Sequence, residues 1–399
     1  MTTKKKFWIA LLAILALVAS ACGDDSSDTS TETPGDETPA DDVPADDVPA
    51  DDVPADDAAA DDANMTPGAG VSVTAARASW TTGYMQAAIY SALLTELGYD
   101  VSEPADLELD PGQFYVALAE GEADFWGNSW YPGHLSWHDG ELTDGSLVGD
   151  HVTIIGEELI ASGLEGFLTN KSIAEENDIV TLDQINDDPA LIALYDADDS
   201  VPGDGIVQIL GCPESWTCDD IAEEMIEFAG WENIEQTKAG YEAMIAEAVG
   251  RSADGKAFIM YTWSPSGYLT QLIPGDNAIW LAVEASSVLD GSITADWNFV
   301  DTPPAALPAG ECTNPDACYL GWAAADIQVT AANTFLEANP AAEALFEQVT
   351  FSVVDVALQN VKYDGGENTT DDVNRHAAEW ITDNRDTVDE WLTVARAAG

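Results

Sequence analysis

The stretch GCPESWTC, residues 211–218, sets one tryptophan between two cysteines. A bridge from Cys212 to Cys218 would close so short a loop that it stabilises the whole fold by only about 2 kcal/mol. Its larger effect would be local, fixing the direction of Trp216. Two further tryptophans stand beside chain-turning residues: Trp130 in SWYPGHLSW and Trp263 in WSPSGY, each in the pattern Trp-x-Pro with a glycine after it. A tryptophan taken alone is most often core packing. These three differ in lying at predicted strand ends or inside a clamp. Three rigid indole faces around a cavity suit a sugar face or a cation without acidic protons, such as a quaternary ammonium. Each face attracts a desolvated cation by about 0.5–2 kcal/mol. Three faces fall short of the roughly 8 kcal/mol that micromolar binding requires, so another group must hold the far end of the ligand.

The elements that must position these residues follow from apolar spacing. GVSVTAARAS reads as a strand, and Met85, Ile89, Leu93 and Leu97 form one helical stripe that stops at Gly98. YDVSE reads as a second strand, GQFYVALAEG as a second helix and ADFWGN as a third strand. Strand, helix, strand, helix, strand implies a parallel sheet with right-handed crossovers, whose ligands sit beyond the carboxyl ends of the strands. The order recurs further on: YEAMIAEAVGR is an amphipathic helix, KAFIMYT a strand, and Trp263 follows. Two similar lobes would then face one cleft, with Trp216 as a third wall. Trp80, Tyr84, Trp126 and Trp137 could line or cap the cleft, with core packing the better assignment for each.

The N-terminus, MTTKKKFWIALLAILALVASAC, carries three lysines, an apolar run from Phe7 to Val18 and small residues up to Cys22. This is a secretory signal over residues 1–21. Ala19-Ser20-Ala21-Cys22 resembles a bacterial lipobox, which would make Cys22 the lipidated first residue, anchored to the outer face of the cell membrane. The competing reading is plain cleavage after an A-x-A site. Residues 22–67, rich in Asp and Pro with ADDVP repeated from Ala40, cannot form a core and read as an extended tether. The other four cysteines sit as two close pairs, Cys212 with Cys218 and Cys312 with Cys318. Outside the cytoplasm both should be disulfides. Zinc would want C-x-x-C spacing or nearby histidines, and neither is present.

The formal charge is −62. Without the 16 acidic groups of residues 22–64 and the N-terminal lysines, 9 basic groups still face 58 acidic ones. Such a surface excludes nucleic acid and anionic membranes as partners and reads as solvation for high salt. GRSADGKA, residues 250–257, nearly matches a phosphate-binding loop, but Ala257 stands where Ser or Thr must hold magnesium, and the order helix, loop, strand is reversed. DADDSVPGDG, from Asp196, has Val201 where a calcium loop requires Gly. No cofactor and no metal site are expected. His138, His151 and His376 show no partner spacing.

GNSWYPGH, LGCPESWTC, GKAFIMYTWSP and the terminal YDGGENTTDDVNRHAAEWITDNRDTVDEWL together resemble, in the same order, the glycine betaine/proline betaine-binding proteins of ABC-type osmoprotectant importers. The resemblance implies an α/β, two-lobed periplasmic-binding-protein fold of the type II kind and a non-enzymatic, ligand-capturing subunit that delivers to a membrane permease. It implies a box of Trp130, Trp216 and Trp263 around the trimethylammonium group. It also implies a carboxylate held by His134 and the backbone N–H groups of Thr217 and Cys218. Thr217 stands where the family pattern has Gly, so its β-branch should narrow the approach. Cys312–Cys318 reads as a structural staple. Lobe I is expected at residues 68–163 plus 326–399 and lobe II at 164–325, in a monomer. A sugar-binding lipoprotein and an extracellular hydrolase are the alternative functions.

Overall fold

A strand pair and an apolar helix open the folded region of the computed structural model, which describes residues 65–290, 307–308 and 310–399. The expected leader, Cys22 and the acidic stretch up to residue 64 lie outside them. β1 (Ser72–Val73) and β2 (Arg77–Ala78) precede α1 (Tyr84–Glu96), which buries Met85, Ile89 and Leu93 along one stripe. Gly98, at φ +92°, turns the chain out of the helix. β3 (Asp100–Val101), β4 (Glu108–Leu109), α2 (Pro111–Glu120) and β5 (Phe125–Tyr131) follow. β1 runs parallel to β3, and Ala75 bridges in parallel to Phe125. The expected strand–helix alternation is present, but its parallel ladders are only two residues long. The main partner of β5 is antiparallel.

That partner belongs to the principal sheet. β6 (Val152–Asn170) is a 19-residue strand. After it come α3 (Lys171–Glu176), α4 (Leu182–Asp187), α5 (Pro189–Asp196), β7 (Val207–Leu210), α6 (Thr217–Ala229), β8 (Ile234–Thr237), α7 (Tyr241–Ala253), β9 (Ile259–Ser264), β10 (Ala278–Leu281) and β11 (Ala325–Ala332). Among the described residues the sheet has seven strands, ordered β5-β11-β6-β9-β7-β8 with β10 also on β6. β6 pairs antiparallel with β11 up to Gly163 and with β9 from Leu164 onward. One continuous strand therefore carries two strand groups and changes partner between Gly163 and Leu164. On the far side of the change, β7 runs parallel to both β8 and β9, with α6 and α7 as the crossovers.

The chain ends in α8 (Asn333–Ala338), α9 (Pro340–Gln348), α10 (Val353–Asp364), α11 (Thr370–Asp383) and α12 (Arg385–Ala398). Val373, Ala377 and Ile381 bury one face of α11 against α1, while Val388, Trp391 and Leu392 bury α12 against α9. Arg385 makes a two-pronged bond to Glu96 at 2.9 Å, tying α12 to the end of α1. Both cysteine pairs are bridged, with Cα–Cα separations of 6.0 Å and 6.2 Å.

Gly156 sits where the register of β6 on β11 shifts, between Ile155 and Leu159: its φ is +79°, and an added Cβ would lie 2.2 Å from the Phe346 carbonyl oxygen. Gly156→Ala should cost about 2 kcal/mol or more, from left-handed strain of about 1–2 kcal/mol plus this clash. Gly121 is also left-handed but meets open space, so Gly121→Ala should cost only about 1 kcal/mol. Thermal melts of the two variants compare them directly; equal losses would contradict the assigned role of the Phe346 contact.

Candidate functional site

Trp130 is the penultimate residue of β5 and Trp263 the penultimate residue of β9, so both stand on the strands themselves rather than in the loops beyond. The strand alternation thus aims the indoles, and Pro132 and Pro265 end the two ladders. Trp216 is the N-cap residue of α6. Its disulfide joins the residue before the loop to the second residue of the helix, so the clamp holds a helix start as well as a ring. Trp130, His134, Trp216, Thr217, Cys218 and Trp263, the six residues singled out in the sequence, line one cavity of about 40 Å³. A single water needs roughly 10–15 Å³ of such space, so the cavity admits a small ligand. Gly163 makes room for one wall: a Cβ there would come 2.7 Å from the Trp130 ring.

Trp80, buried in the core cluster, is also a further wall. It precedes a short 3-10 turn, Thr81–Gly83, with no motif to mark it. Trp216 stands edge-on to Trp80 (5.5 Å between centroids, 68°) and to Trp263 (5.6 Å, 74°), so the rings meet as near-perpendicular faces. Each indole N–H has a fixed acceptor. Trp80 and Trp130 both donate to Asn128 Oδ1, at 2.7 and 3.0 Å. Trp263 donates to Thr82 Oγ1 at 2.8 Å. Trp216 donates to Ser79 Oγ at 3.1 Å and Asp110 Oδ1 at 3.2 Å.

The other aromatic assignments stand apart from the lining. Trp126 packs on Phe114 behind the cavity, and Tyr84 donates to Glu108 beneath Arg77. Trp137 donates its indole N–H to Thr217 Oγ1 at 2.8 Å, which turns the Thr217 hydroxyl toward that ring. The Cys312–Cys318 bridge lies beside β10 and takes no part in the lining. GRSADGKA is the end of α7 and the turn into β9. In the acidic loop after α5, Asp196 accepts from the Gly203 and Gly205 amides.

His134, Thr217 and Cys218 each bring an N–H donor to the lining. The Trp130 backbone N–H, which can only donate, points at His134 Nδ1 at 3.3 Å, so Nδ1 accepts and Nε2 carries the proton. Burial first, then neighbouring His138, pushes the His134 pKa down to about 3, so the ring is neutral. Beside it, Thr217 and Cys218 are the first residues of α6. Their N–H groups have no carbonyl within the helix to bond and lie at the positive end of the helix dipole. A carboxylate is the natural complement of this end. The cavity also contains Glu165 and Tyr261, which sequence reasoning passed over. Tyr261 was legible, being two residues before Trp263 on the same strand and hence on the same face.

Comparison with known proteins bears on what this arrangement serves. Residues 71–383 match the family described as the substrate binding domain of ABC-type glycine betaine transport systems. The chain belongs to that family. It is 29% identical over 337 residues to the glycine betaine-binding periplasmic protein OusX of Dickeya dadantii (strain 3937), covering 84% of this chain and 93% of that one. It is 27% identical over 333 residues to the glycine betaine/proline betaine-binding periplasmic protein of Escherichia coli (strain K12), covering 83% and 92%. Lactococcal OpuAC, in its closed form with glycine betaine, superposes with a TM-score of 0.55 at 15% identity over 81% of this chain and 99% of its own. The fold is the α/β, two-lobed periplasmic-binding-protein fold. Membership of this substrate-binding family places the chain among transport components. Among the described residues no helix is long and apolar enough to cross a membrane.

Two outcomes are expected of the unliganded site. His134 should keep the resonances of a neutral Nε2–H imidazole from about pH 8 to about pH 4, as its lowered pKa requires; a titration near the ordinary value would refute the assignment. Asn128→Ala should release Trp80 and Trp130 together, costing about 2 kcal/mol of stability for two lost bonds and shifting tryptophan emission.

Proposed function

We propose that this protein is the substrate-binding subunit of an ABC importer, not an enzyme, and that it captures glycine betaine or a related quaternary ammonium zwitterion such as proline betaine for osmoprotectant uptake. One observation carries the reading: a single cavity is lined by four indoles together with His134 and the first two residues of α6. Trp130, Trp216 and Trp263, joined by Trp80, would enclose the trimethylammonium head. His134 Nε2–H and the amides of Thr217 and Cys218 would receive the carboxylate. A neutral histidine with two helix-start amides holds an anion without the desolvation cost of a buried counter-cation. Relatives named for glycine betaine and proline betaine support the ligand class.

In this reading residues 68–163 with 326–399 form lobe I and 164–325 form lobe II. Trp80, Trp130 and His134 come from the first and Trp216, Trp263 and the α6 amides from the second, so the box is complete only when the lobes close. The closed form is then what the permease subunits recognise. The exported chain, a monomer, would be held at the outer face of the cell membrane by lipid on Cys22.

Calorimetric titration of the purified protein tests the reading. Glycine betaine should bind and glycine should not, because the methylated head is what the rings select. Trp263→Ala should weaken betaine by about tenfold or more, the loss of one desolvated cation–π face. His134→Ala should weaken betaine while leaving choline, which has no carboxylate, nearly unchanged. A folded protein that bound no methylated ammonium at low or high salt would overturn the proposal.

A further inference from the structure

The cavity contains one carboxyl group for which the proposed grip on a zwitterion gives no role. Glu165 lies on β6 directly opposite Trp263 on β9, and directly opposed residues of an antiparallel pair project to the same face. Its carboxyl therefore stands beside the Trp263 indole, in the lining of the cavity. Tyr261, on that same face of β9, donates its hydroxyl to Glu165 Oε1 at 2.5 Å. Among the described residues no lysine or arginine acts on it; burial drives its behaviour and the Tyr261 bond opposes burial only in part. A carboxyl group placed among aromatic rings with one hydrogen bond and no counter-charge is costly as pure architecture. A cationic ligand head supplies the missing partner.

We propose that Glu165 is the anionic wall of the aromatic box, facing the ammonium end of the ligand and selecting a permanently cationic head over a neutral group of the same shape. This rests on the proposed function above. The arrangement gives the cavity a direction. Donors on His134 and the start of α6 attract a carboxylate, while Glu165 repels one, so a zwitterion enters with its methylated head toward Trp263. The rings read shape and surface methyls, and the carboxylate reads charge. A quaternary ammonium has no N–H to donate, so its contact with Glu165 is purely Coulombic and needs no hydrogen-bond geometry.

The consequence is a pH dependence with a definite sign. Burial raises the Glu165 pKa to about 7. Its charge is therefore absent below that value and present above it, and affinity for a cationic head should rise as pH increases through neutrality. The other titratable groups facing Glu165 do not change charge in this window. Burial raises Tyr261 and also Tyr241, whose ring on α7 packs against Trp263 and Tyr261, well above it. His134, across the cavity, is shifted far below it. β10 and β11, the other strands beside β6, place no charge that acts on Glu165.

The test is calorimetric titration of the purified protein and its Glu165→Gln variant, at about pH 5.5 and about pH 8, with glycine betaine and its uncharged-head carbon isostere 3,3-dimethylbutanoate. In the wild type, betaine should tighten by about tenfold between the two pH values, the scale of one Coulombic contact at an intermediate dielectric. In Glu165→Gln the slope should vanish and the preference for betaine over the isostere should narrow by a similar factor. Glu165→Asp, which keeps the charge, should keep the slope, and it carries the test if Glu165→Gln does not fold. A flat wild-type profile, or unchanged affinities in Glu165→Gln, would overturn the proposal. If Trp263→Ala loses betaine while Glu165→Gln does not, the ligand reading stands and the role of Glu165 falls. If the wild type binds no betaine at either pH, both fall.

Discussion

An indole face attracts a cation only while it stays turned toward it, and this cavity depends on keeping its rings still. The means is the same at each: a polar side chain accepts the indole N–H and sets the ring angle. Asn128 serves Trp80 and Trp130 together, Thr82 serves Trp263, and Ser79 with Asp110 serves Trp216. Three of these bonds reach across the sheet's change of partner, from residues before β6 to rings on β9 and at the start of α6. Ring orientation and the mutual placement of the two strand groups are therefore one constraint. Rings held before a ligand arrives lose little freedom when it binds.

The electrostatics of the cavity are arranged by burial and backbone rather than by paired charges. On a chain of formal charge −62, a lysine or arginine inside the site would be the obvious holder for a carboxylate. Instead the lining holds a neutral imidazole, fixed in one tautomer by the Trp130 amide, and the amides of a helix start. The Cys212–Cys218 bridge serves both ends of this scheme. It directs Trp216 and pins Cys218, whose amide belongs to the first turn of α6. Its effect on global stability is small beside this local one.

Much of the fold was legible because its periodicities are local. The stripe of α1, its stop at Gly98 and the α7–β9 unit all follow from apolar spacing and turn residues. The extent of the parallel ladders was not legible. β5 looks like the third strand of a parallel set, yet its long partner is β11, some two hundred residues later, and antiparallel. Nothing within β5 encodes that choice, since an all-buried strand pairs equally well in either direction until the rest of the sheet is in place.

For the site, the sequence by itself singled out six residues that line one cavity. Tryptophans beside proline, glycine and a cysteine clamp are local signals, as is a histidine four residues after one of them. Only the tertiary structure decided how they work together. Trp80 carries no local mark and becomes a wall because the turn at Thr81–Gly83 brings it against Trp216. Glu165, one of three glutamates on β6, enters the cavity because the β6–β9 register sets it opposite Trp263. Register and ring angle arise from contacts far apart in the chain, and a linear pattern holds no record of them.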